Sequence, residues 1–285
     1  MSSELKTITV IGAGGKMGMR ISANFQKSHY QVFYCENSPA AQQQVISHKR
    51  EISDADVVVP KSDVVILAVP DIVLGKLSQA IVPKMKSGAI LLTLDPAAAY
   101  ANLITKRDDI EYAVAHPCHP SVFLERYTKE EHSDAFGGIA AIQHVAASYE
   151  DGTKEQKEQL SQVISCMYGP VENVHWVTVK QLAYLEPTLV ETVACMVGAF
   201  MKEALDETVK YSGVPDEAAK AMLYGHIQIA LAVAFRATNP FSDACLVAME
   251  YGREKIINPD WKVIFEEQEL DKVIARMLKI ERISR

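Results

Sequence analysis

The sequence lacks an excess of basic side chains. Lysine and arginine number 29 against 36 aspartates and glutamates, so the formal net charge is −7. A chain of this sign has no positive field to attract phosphate backbones or anionic lipid, which makes nucleic acid and membranes poor candidates as partners. The 285 residues are 48% hydrophobic, which is enough to fill the core of one large or two ordinary domains.

Long uncharged runs and a cysteine framework are also missing. The longest uncharged runs, residues 135–149 and 221–235, have 15 residues each and contain Gly, His or Gln, whereas a membrane-spanning helix needs about 20 apolar residues. The five cysteines form no C-x-x-C pair, and residues 1–6 show no secretory signal. These absences predict a soluble protein of the reducing cytoplasm.

Short, continuously apolar segments alternate with helical stretches up to about residue 169. This pattern is typical of parallel strands buried on both faces, with helices such as residues 16–27 and 72–85 as crossovers. The predicted strands cover residues 7–11, 31–34, 64–69, 89–94, 112–115, 138–142 and 171–175.

From residue 179 onward the apolar residues recur at helical spacing. The predicted helices cover residues 179–211, 216–235, 242–257 and 267–279. Gly213 and Pro215 form a glycine cap followed by a proline stop. We therefore predict an α/β fold, with a doubly wound, mostly parallel sheet in a cofactor-binding domain, residues 1–174. An all-α domain for substrate binding and dimerisation follows in residues 175–285.

A glycine-rich turn follows the first predicted strand and opens the first helix. Its residues are Gly12, Ala13, Gly14, Gly15, Lys16, Met17 and Gly18. Counted from Gly12, the third glycine of a G-x-G-x-x-G motif comes one place late; counted from Ala13, the first glycine is an alanine. Both frames keep small residues where a backbone approaches a pyrophosphate at a helix N-terminus. A glycine-rich turn without a ligand is the alternative.

Three residues at other strand ends extend this prediction. Glu36 ends the second strand, 18 positions beyond Gly18, where dinucleotide-binding folds present an acceptor to the ribose hydroxyls. Its carboxylate would repel a 2′-phosphate, which favours NAD over NADP; a solvated glutamate is the alternative. Pro70 and Asp71 follow the strand that ends at Val69, and we expect them to flank the nicotinamide.

Two histidines and a cysteine lie together after a later strand, as His116, Cys118 and His119. Histidine titrates near neutral pH and is the commonest neutral metal ligand, so His116 is a candidate acid–base group or ligand. In an extended stretch, we expect His116 and Cys118 to share one side while His119 points elsewhere. The alternative for Cys118 and His119 is that they cap the strand, with Cys118 as a small buried hydrophobic residue.

Two glutamates, Glu186 and Glu191, interrupt the apolar pattern of the long helix. A buried carboxylate is costly without a partner, and we expect Pro187 to kink the helix beside Glu186. Together with His116, Glu186 would form an open site for a divalent cation. Solvated or lysine-paired glutamates are the alternative, and His226 on an apolar helix is read as a core histidine.

These motifs together resemble the D-apionate oxidoisomerase-like family of bacterial proteins, in which a Rossmann domain precedes a phosphogluconate dehydrogenase-like C-terminal domain. The resemblance covers nearly the whole chain, through residues 12–18, 68–71, 116–120 and 185–187. It implies an NAD-dependent enzyme of sugar-acid catabolism, distantly related to ketol-acid reductoisomerase and the β-hydroxyacid dehydrogenases. Lys180 lacks the asparagines that follow the catalytic lysine of those dehydrogenases, and Glu186 and Glu191 do not reproduce the reductoisomerase metal cluster.

The resemblance implies oxidation of a branched sugar acid such as D-apionate by NAD, followed by a metal-assisted α-ketol shift. His116 would be the base or a metal ligand, and Glu186 a metal ligand or proton relay. A plain NAD-dependent hydroxy-acid dehydrogenase is one alternative, and an NAD-binding sensor without turnover is another. The long apolar face of the 179–211 helix predicts a homodimer joined through the C-terminal helices.

Overall fold

The computed structural model describes residues 4–237 and 239–284, so part of the N-terminal stretch considered above, residues 1–3, lies outside the described residues. The chain divides into two compact units. The sheet unit contains the described residues up to Leu185 and those from Asp271 onward, and the helical unit contains Glu186–Leu270. The domain limits given above, 1–174 and 175–285, stay a prediction.

The described residues of the sheet unit contain seven strands in one sheet. They are β1 (Thr7–Ile11), β2 (Gln31–Cys35), β3 (Val64–Leu67), β4 (Ile90–Thr93), β5 (Glu111–Pro117), β6 (Gln143–Ser148) and β7 (Val171–Trp176). The strand order is β2-β1-β3-β4-β5-β6-β7. All neighbouring strands are parallel except β5 and β6. The predicted doubly wound, mostly parallel sheet is therefore confirmed.

Helices cover both faces of this sheet, which explains why the central strands are continuously apolar. Every residue of β3 and β4 is buried. The α-helices among the described residues up to Leu185 are α1 (Lys16–Phe25), α2 (Pro39–Ser47), α3 (Ala55–Val58), α4 (Asp71–Ile81), α5 (Ala97–Tyr100), α6 (Lys129–Ser133), α7 (Lys154–Tyr168) and α8 (Val179–Ala183).

The strand predicted over residues 138–142 is wrong, since the next strand begins only at Gln143. The backbone N–H groups of Ile139, Ala140 and Ala141 donate instead to one carboxylate oxygen of Asp134, at 3.0, 2.9 and 3.1 Å. A side chain that takes three successive amides leaves none of them for a neighbouring strand. The apolar run is therefore a loop.

The long predicted helix is present, with a change of hydrogen bonding in its middle. A π-helical segment, Tyr184–Cys195, follows α8 and contains Pro187. It continues into α9 (Met196–Ser212), which ends at Gly213 with a φ of +68°, as the glycine cap predicts. Pro187 has no backbone N–H to donate to the preceding turn, and the π-helical segment, which is wider than an α-helix, accommodates it.

The remaining helices agree with the predicted all-α C-terminal part. They are α10 (Asp216–Arg236), α11 (Asp243–Ile256) and α12 (Glu267–Leu278). Residues of α12 from Asp271 onward belong to the sheet unit, where the Tyr100 hydroxyl donates to the Asp271 carboxylate at 2.8 Å.

By length and hydropathy alone, two helices could cross a membrane, Val179–Ser212 and Asp216–Arg236. The most apolar 18-residue window of each helix contains at most two charged residues, so these segments are longer than the wholly uncharged runs of the sequence. One or two such helices are weak evidence of a membrane protein, since core helices of soluble proteins pass the same test.

Candidate active site

The glycine-rich turn packs against its neighbours so closely that side chains are excluded at three positions, Gly12, Gly14 and Gly18. Gly12 has a φ of +82°, and a Cβ added there would lie 2.5 Å from the Ala68 carbonyl oxygen. A Cβ on Gly18 would lie 2.0 Å from the Gly12 carbonyl oxygen. The turn leads directly into α1 at the carboxyl edge of the sheet, so it offers backbone N–H groups and a helix N-terminus to an anion.

The carboxylate of Glu36 is held beside this turn. One oxygen accepts from the Gly14 N–H at 3.1 Å, and the other accepts from the N–H groups of Asn37 and Ser38 at 2.9 and 3.1 Å. Glu36 lines a cavity of about 510 Å³, the Glu36 cavity, with apolar side chains of α4 such as Val73 and Leu77 on its wall. An apolar slot beside a fixed carboxylate suits an adenosine, whose base is flat and whose ribose carries hydroxyls.

A second cavity of about 510 Å³, the His116 cavity, brings together six of the predicted site residues. They are Gly15, Lys16, Met17, Pro70, Asp71 and His116. These residues come from the ends of β1, β3 and β5 and from the starts of the following helices, which share the carboxyl edge of the sheet. In doubly wound folds ligands bind at this edge.

The His116 ring is fixed by a backbone carbonyl. Its Nδ1 lies 3.0 Å from the carbonyl oxygen of Leu94, and because a carbonyl can only accept, Nδ1 carries the hydrogen and Nε2 keeps a lone pair. Burial lowers the pKa of His116, although the Asp95 carboxylate and the Leu94 carbonyl act in the opposite direction. A neutral imidazole is the form that accepts a proton or binds a metal ion.

Asp95 lies beside His116, and sequence reasoning missed it. One of its carboxylate oxygens is 3.9 Å from His116 Nδ1, and the other accepts from the Ala97 N–H at 2.9 Å. The sequence does contain a feature that indicates Asp95 as a site residue, because Asp95 follows β4 as Asp71 follows β3. The carboxyl ends of parallel strands lie at the same edge of the sheet.

The expectation that His119 points away from His116 is wrong. His119 also lines the His116 cavity, and the centroids of the two imidazole rings are 6.4 Å apart. The reason is a φ of +61° at His119, which ends the extended geometry assumed for this stretch. Cys118 is exposed and is not among the residues that line the cavity.

In the helical unit, the two glutamates differ in burial. Glu186 is 5% exposed, whereas Glu191 is exposed. His226 is exposed as well, with Nδ1 2.8 Å from the Met222 carbonyl oxygen, so its interpretation as a core histidine is wrong for this chain. Of these three residues, only Glu186 has the burial that the prediction of an inward carboxylate requires.

Two family models match the chain and together cover almost all of it. Residues 3–169 match the NADPH-binding domain of acetohydroxy acid isomeroreductase. Residues 124–278 match the C-terminal domain of the decarboxylating phosphogluconate dehydrogenase. The predicted Rossmann domain, the phosphogluconate dehydrogenase-like C-terminal part and the distant relationship to the reductoisomerases are therefore confirmed.

Curated relatives and a solved structure agree with these family models. The D-apionate oxidoisomerase of Pectobacterium atrosepticum is 76% identical over the full length of both chains, and that of Blautia hydrogenotrophica is 42% identical over 95% of this chain and 96% of its own. A semialdehyde dehydrogenase NAD-binding protein from Cupriavidus necator, solved in complex with calcium and NAD, is 38% identical with a TM-score of 0.92. The alignment covers 97% of this chain and 100% of that one. The chain therefore belongs to the D-apionate oxidoisomerase family of oxidoreductases.

Proposed function

We propose that this protein oxidises D-apionate with NAD and then isomerises the product by an α-ketol shift. The observation that carries the proposal is the His116 cavity, where His116 and Asp95 lie next to the N-terminus of α1 and the cavity is lined by the ends of four strands. The identity of 76% to a D-apionate oxidoisomerase over the full chain supports the substrate.

The proposed cofactor is NAD, with its adenosine in the Glu36 cavity and its pyrophosphate on the turn from Gly12 to Gly18. Glu36 supports NAD over NADP, because a fixed carboxylate accepts from ribose hydroxyls and repels a 2′-phosphate. The Cupriavidus necator relative, which was solved with NAD, supports the same choice. The nicotinamide then lies towards Pro70 and Asp71.

The chemistry that NAD supplies is acceptance of a hydride from the carbon that bears the 2-hydroxyl. The residues of the His116 cavity bind the sugar acid against the nicotinamide and keep its hydroxyl near a group that accepts the proton. A neutral His116 meets that need, and so does any other neutral imidazole of the cavity.

The proposal includes a divalent cation bound by His116 and Glu186. His116 offers Nε2 of a neutral ring, Asp95 adds a carboxylate to the same cavity, and Glu186 is a buried carboxylate of the helical unit. Imidazole and carboxylate oxygens suit such a cation, which would hold and polarise neighbouring oxygens of the substrate. The calcium in the Cupriavidus necator structure supports this part of the proposal.

We also propose that the protein, which is soluble, forms a homodimer in the cytoplasm. Helices α10 and α11 leave large apolar side chains exposed, among them Met222 at 65%, Phe235 at 74% and Val247 at 68%. Apolar surface of this extent is typical of an interface. The five free cysteines support a reducing compartment.

The test is incubation of the purified protein with NAD and D-apionate, with and without a chelator, while NADH is followed by absorbance and the products by NMR. We expect NADH and a ketone whose carbon skeleton is rearranged. NADH with an unrearranged product, or with linear hydroxy acids only, would support the plain dehydrogenase. Bound NAD without turnover on any sugar acid would support the sensor.

A further inference from the structure

Two contacts with one residue, Phe136, hold the side chain of His119. Its Nδ1 lies 2.8 Å from the Phe136 carbonyl oxygen, and its ring stands edge-on to the Phe136 ring with the centroids 5.6 Å apart. Its backbone has a φ of +61°, a conformation that is uncommon for a residue other than glycine. Backbone outliers of this kind concentrate at functional sites, where the surrounding structure maintains them.

The loop that presents the Phe136 carbonyl is itself held in place. Asp134 is 4% exposed, and its carboxylate accepts from three successive N–H groups of the same loop. On the other side, the guanidinium of Arg20 lies 5.5 Å from the centre of the Phe136 ring. The acceptor that orients His119 therefore belongs to a part of the cavity lining that the Asp134 carboxylate and Arg20 hold by contacts.

The hydrogen bond to Phe136 also determines which ring nitrogen of His119 is available. Because the carbonyl oxygen only accepts, Nδ1 carries the hydrogen, and Nε2 of the neutral ring keeps the lone pair. His116 is held in the same way by Leu94. Two imidazoles therefore line the cavity, each with Nε2 as its acceptor atom, whereas the proposed function names a role only for His116.

One imidazole cannot both bind the cation and accept the proton of the 2-hydroxyl, which are the two tasks that the proposed function assigns to this site. A histidine that binds a cation through Nε2 has no lone pair left to accept a proton. Both rings contact a backbone carbonyl, but His116 also lies next to the Asp95 carboxylate, which suits a cation ligand, whereas the ring of His119 also stands against the Phe136 ring. The geometry therefore divides the two tasks between the two histidines.

We propose that His119 is the catalytic base of the oxidation step, a role that rests on the proposed function. The O–H bond of the 2-hydroxyl breaks and its proton bonds to Nε2 of His119, while the oxygen electron pair forms the second bond of the new carbonyl. The adjacent C–H bond breaks at the same carbon, and its electron pair leaves as a hydride that reduces NAD to NADH. His119 ends the step as an imidazolium and returns to neutral by passing the proton on.

The test compares two substitutions of His119. Asparagine retains an N–H near the position of Nδ1 and tolerates a left-handed backbone, so H119N keeps the bond to Phe136 but has no basic nitrogen. We expect kcat to fall by about 10²- to 10⁴-fold. The NAD affinity, the metal content, the melting temperature and the calorimetric affinity for D-apionate in the presence of NADH should be unchanged. In H119A, added imidazole should restore part of the turnover.

The matched control is His48→Asn, because His48 has the same Nδ1 contact to a backbone carbonyl, that of Gln44 at 2.9 Å, but does not line the His116 cavity. Full turnover of H119N would overturn the role of His119 and leave the proposed function intact. The role of His119 is also overturned, and the proposed function left intact, if H119N is active while H119A has a lower melting temperature and added imidazole does not restore its turnover. A wild-type protein that binds NAD and oxidises no sugar acid would overturn the proposed function, and the role of His119 with it.

Discussion

The carboxylate of Glu36 accepts a hydrogen bond from the backbone N–H of Gly14, with 3.1 Å between the nitrogen and the oxygen. The contact ties the glycine-rich turn after β1 to the end of β2. Because the same carboxylate lines the Glu36 cavity, one charged group both supports the turn and faces the ribose of the proposed cofactor. Its substitution therefore tests both roles.

The first prediction concerns cofactor preference. Glu36→Gln keeps an acceptor oxygen for Gly14 but removes the negative charge that repels a 2′-phosphate. We expect the ratio of kcat/KM for NAD to that for NADP to fall by about tenfold, which corresponds to about 1.4 kcal/mol. Glu36→Ala should also reduce the preference for NAD over NADP. Its melting temperature should be lower, because three backbone N–H groups lose their acceptor. Equal turnover of the unmodified enzyme with both cofactors would show that Glu36 does not select NAD.

The second prediction concerns the packing of the glycine-rich turn. Gly18→Ala would place a Cβ 2.0 Å from a backbone oxygen, so the backbone has to move. We expect the free energy of unfolding to fall by about 1–3 kcal/mol, with weaker NAD binding. Gly15→Ala is the matched control, because its nearest neighbour would be 3.5 Å away. If chemical denaturation gives the same loss for both variants, the close approach at Gly18 is not what requires glycine.

The third prediction concerns acid stability at the opposite edge of the sheet. Burial raises the pKa of Asp63, but hydrogen bonds from Lys86, Thr7 and Lys6 outweigh it and lower the pKa to about 2 from an ordinary value of 3.8. A depressed folded-state pKa stabilises the protein above the unfolded pKa, and this stabilisation is lost as the pH falls towards the folded pKa. The free energy of unfolding of the wild type should therefore exceed that of Asp63→Asn at neutral pH, and this difference should disappear between about pH 4 and pH 2.

Urea denaturation of both proteins across this range measures the effect. Asp151→Asn, at an exposed aspartate, is the control and should follow the wild type. If the free energies of unfolding of the wild type and the Asp63 variant differ by the same amount from neutral pH to pH 2, the prediction is contradicted.

The fourth prediction concerns the proposed cation. We expect His116→Gln and Glu186→Gln each to abolish turnover and retention of a divalent metal, while NAD affinity stays the same because the cofactor contacts other residues. Elemental analysis and NAD titration of both variants provide the measurements, and Glu191→Gln is the control. Full activity of metal-free protein in the presence of a chelator would exclude a role for the cation.

The fifth prediction concerns the proposed homodimer. Val247→Asp introduces a charge on the exposed apolar surface of α11, where burial of an unpaired carboxylate in an interface is unfavourable. Light scattering should give a dimer for the wild type and a monomer for this variant. Val122→Asp is the control, since Val122 has almost the same exposure, 69%, in the sheet unit. A wild type that is monomeric at micromolar concentration would refute the dimer.

The sequence predicts the sheet well because its central strands are buried on both faces, so their apolar runs are continuous and end near the observed limits. Residues 138–142 are also continuously apolar but form a loop, because the nearby Asp134 accepts hydrogen bonds from their amides, and apolar periodicity does not reveal such a side-chain acceptor. His119 was misjudged because a left-handed residue between Cys118 and Pro120 cannot be distinguished from an extended one by composition. Asp95 was accessible to the strand-end argument, whereas its distance from His116 required coordinates.

The antiparallel pairing of β5 and β6 has a consequence for how this family can vary. The end of β5 and the start of β6 pair with each other, at Pro117 and Val145, so the segment 118–142 begins and ends at the mouth of the His116 cavity. A parallel successor would require a crossover to the opposite edge of the sheet. Apart from His119 and the residues that hold it, the connection can lengthen, shorten or change composition without altering the register of the strands. We expect substrate range to diverge among relatives mainly through this loop, while the glycine-rich turn and the sheet stay the same.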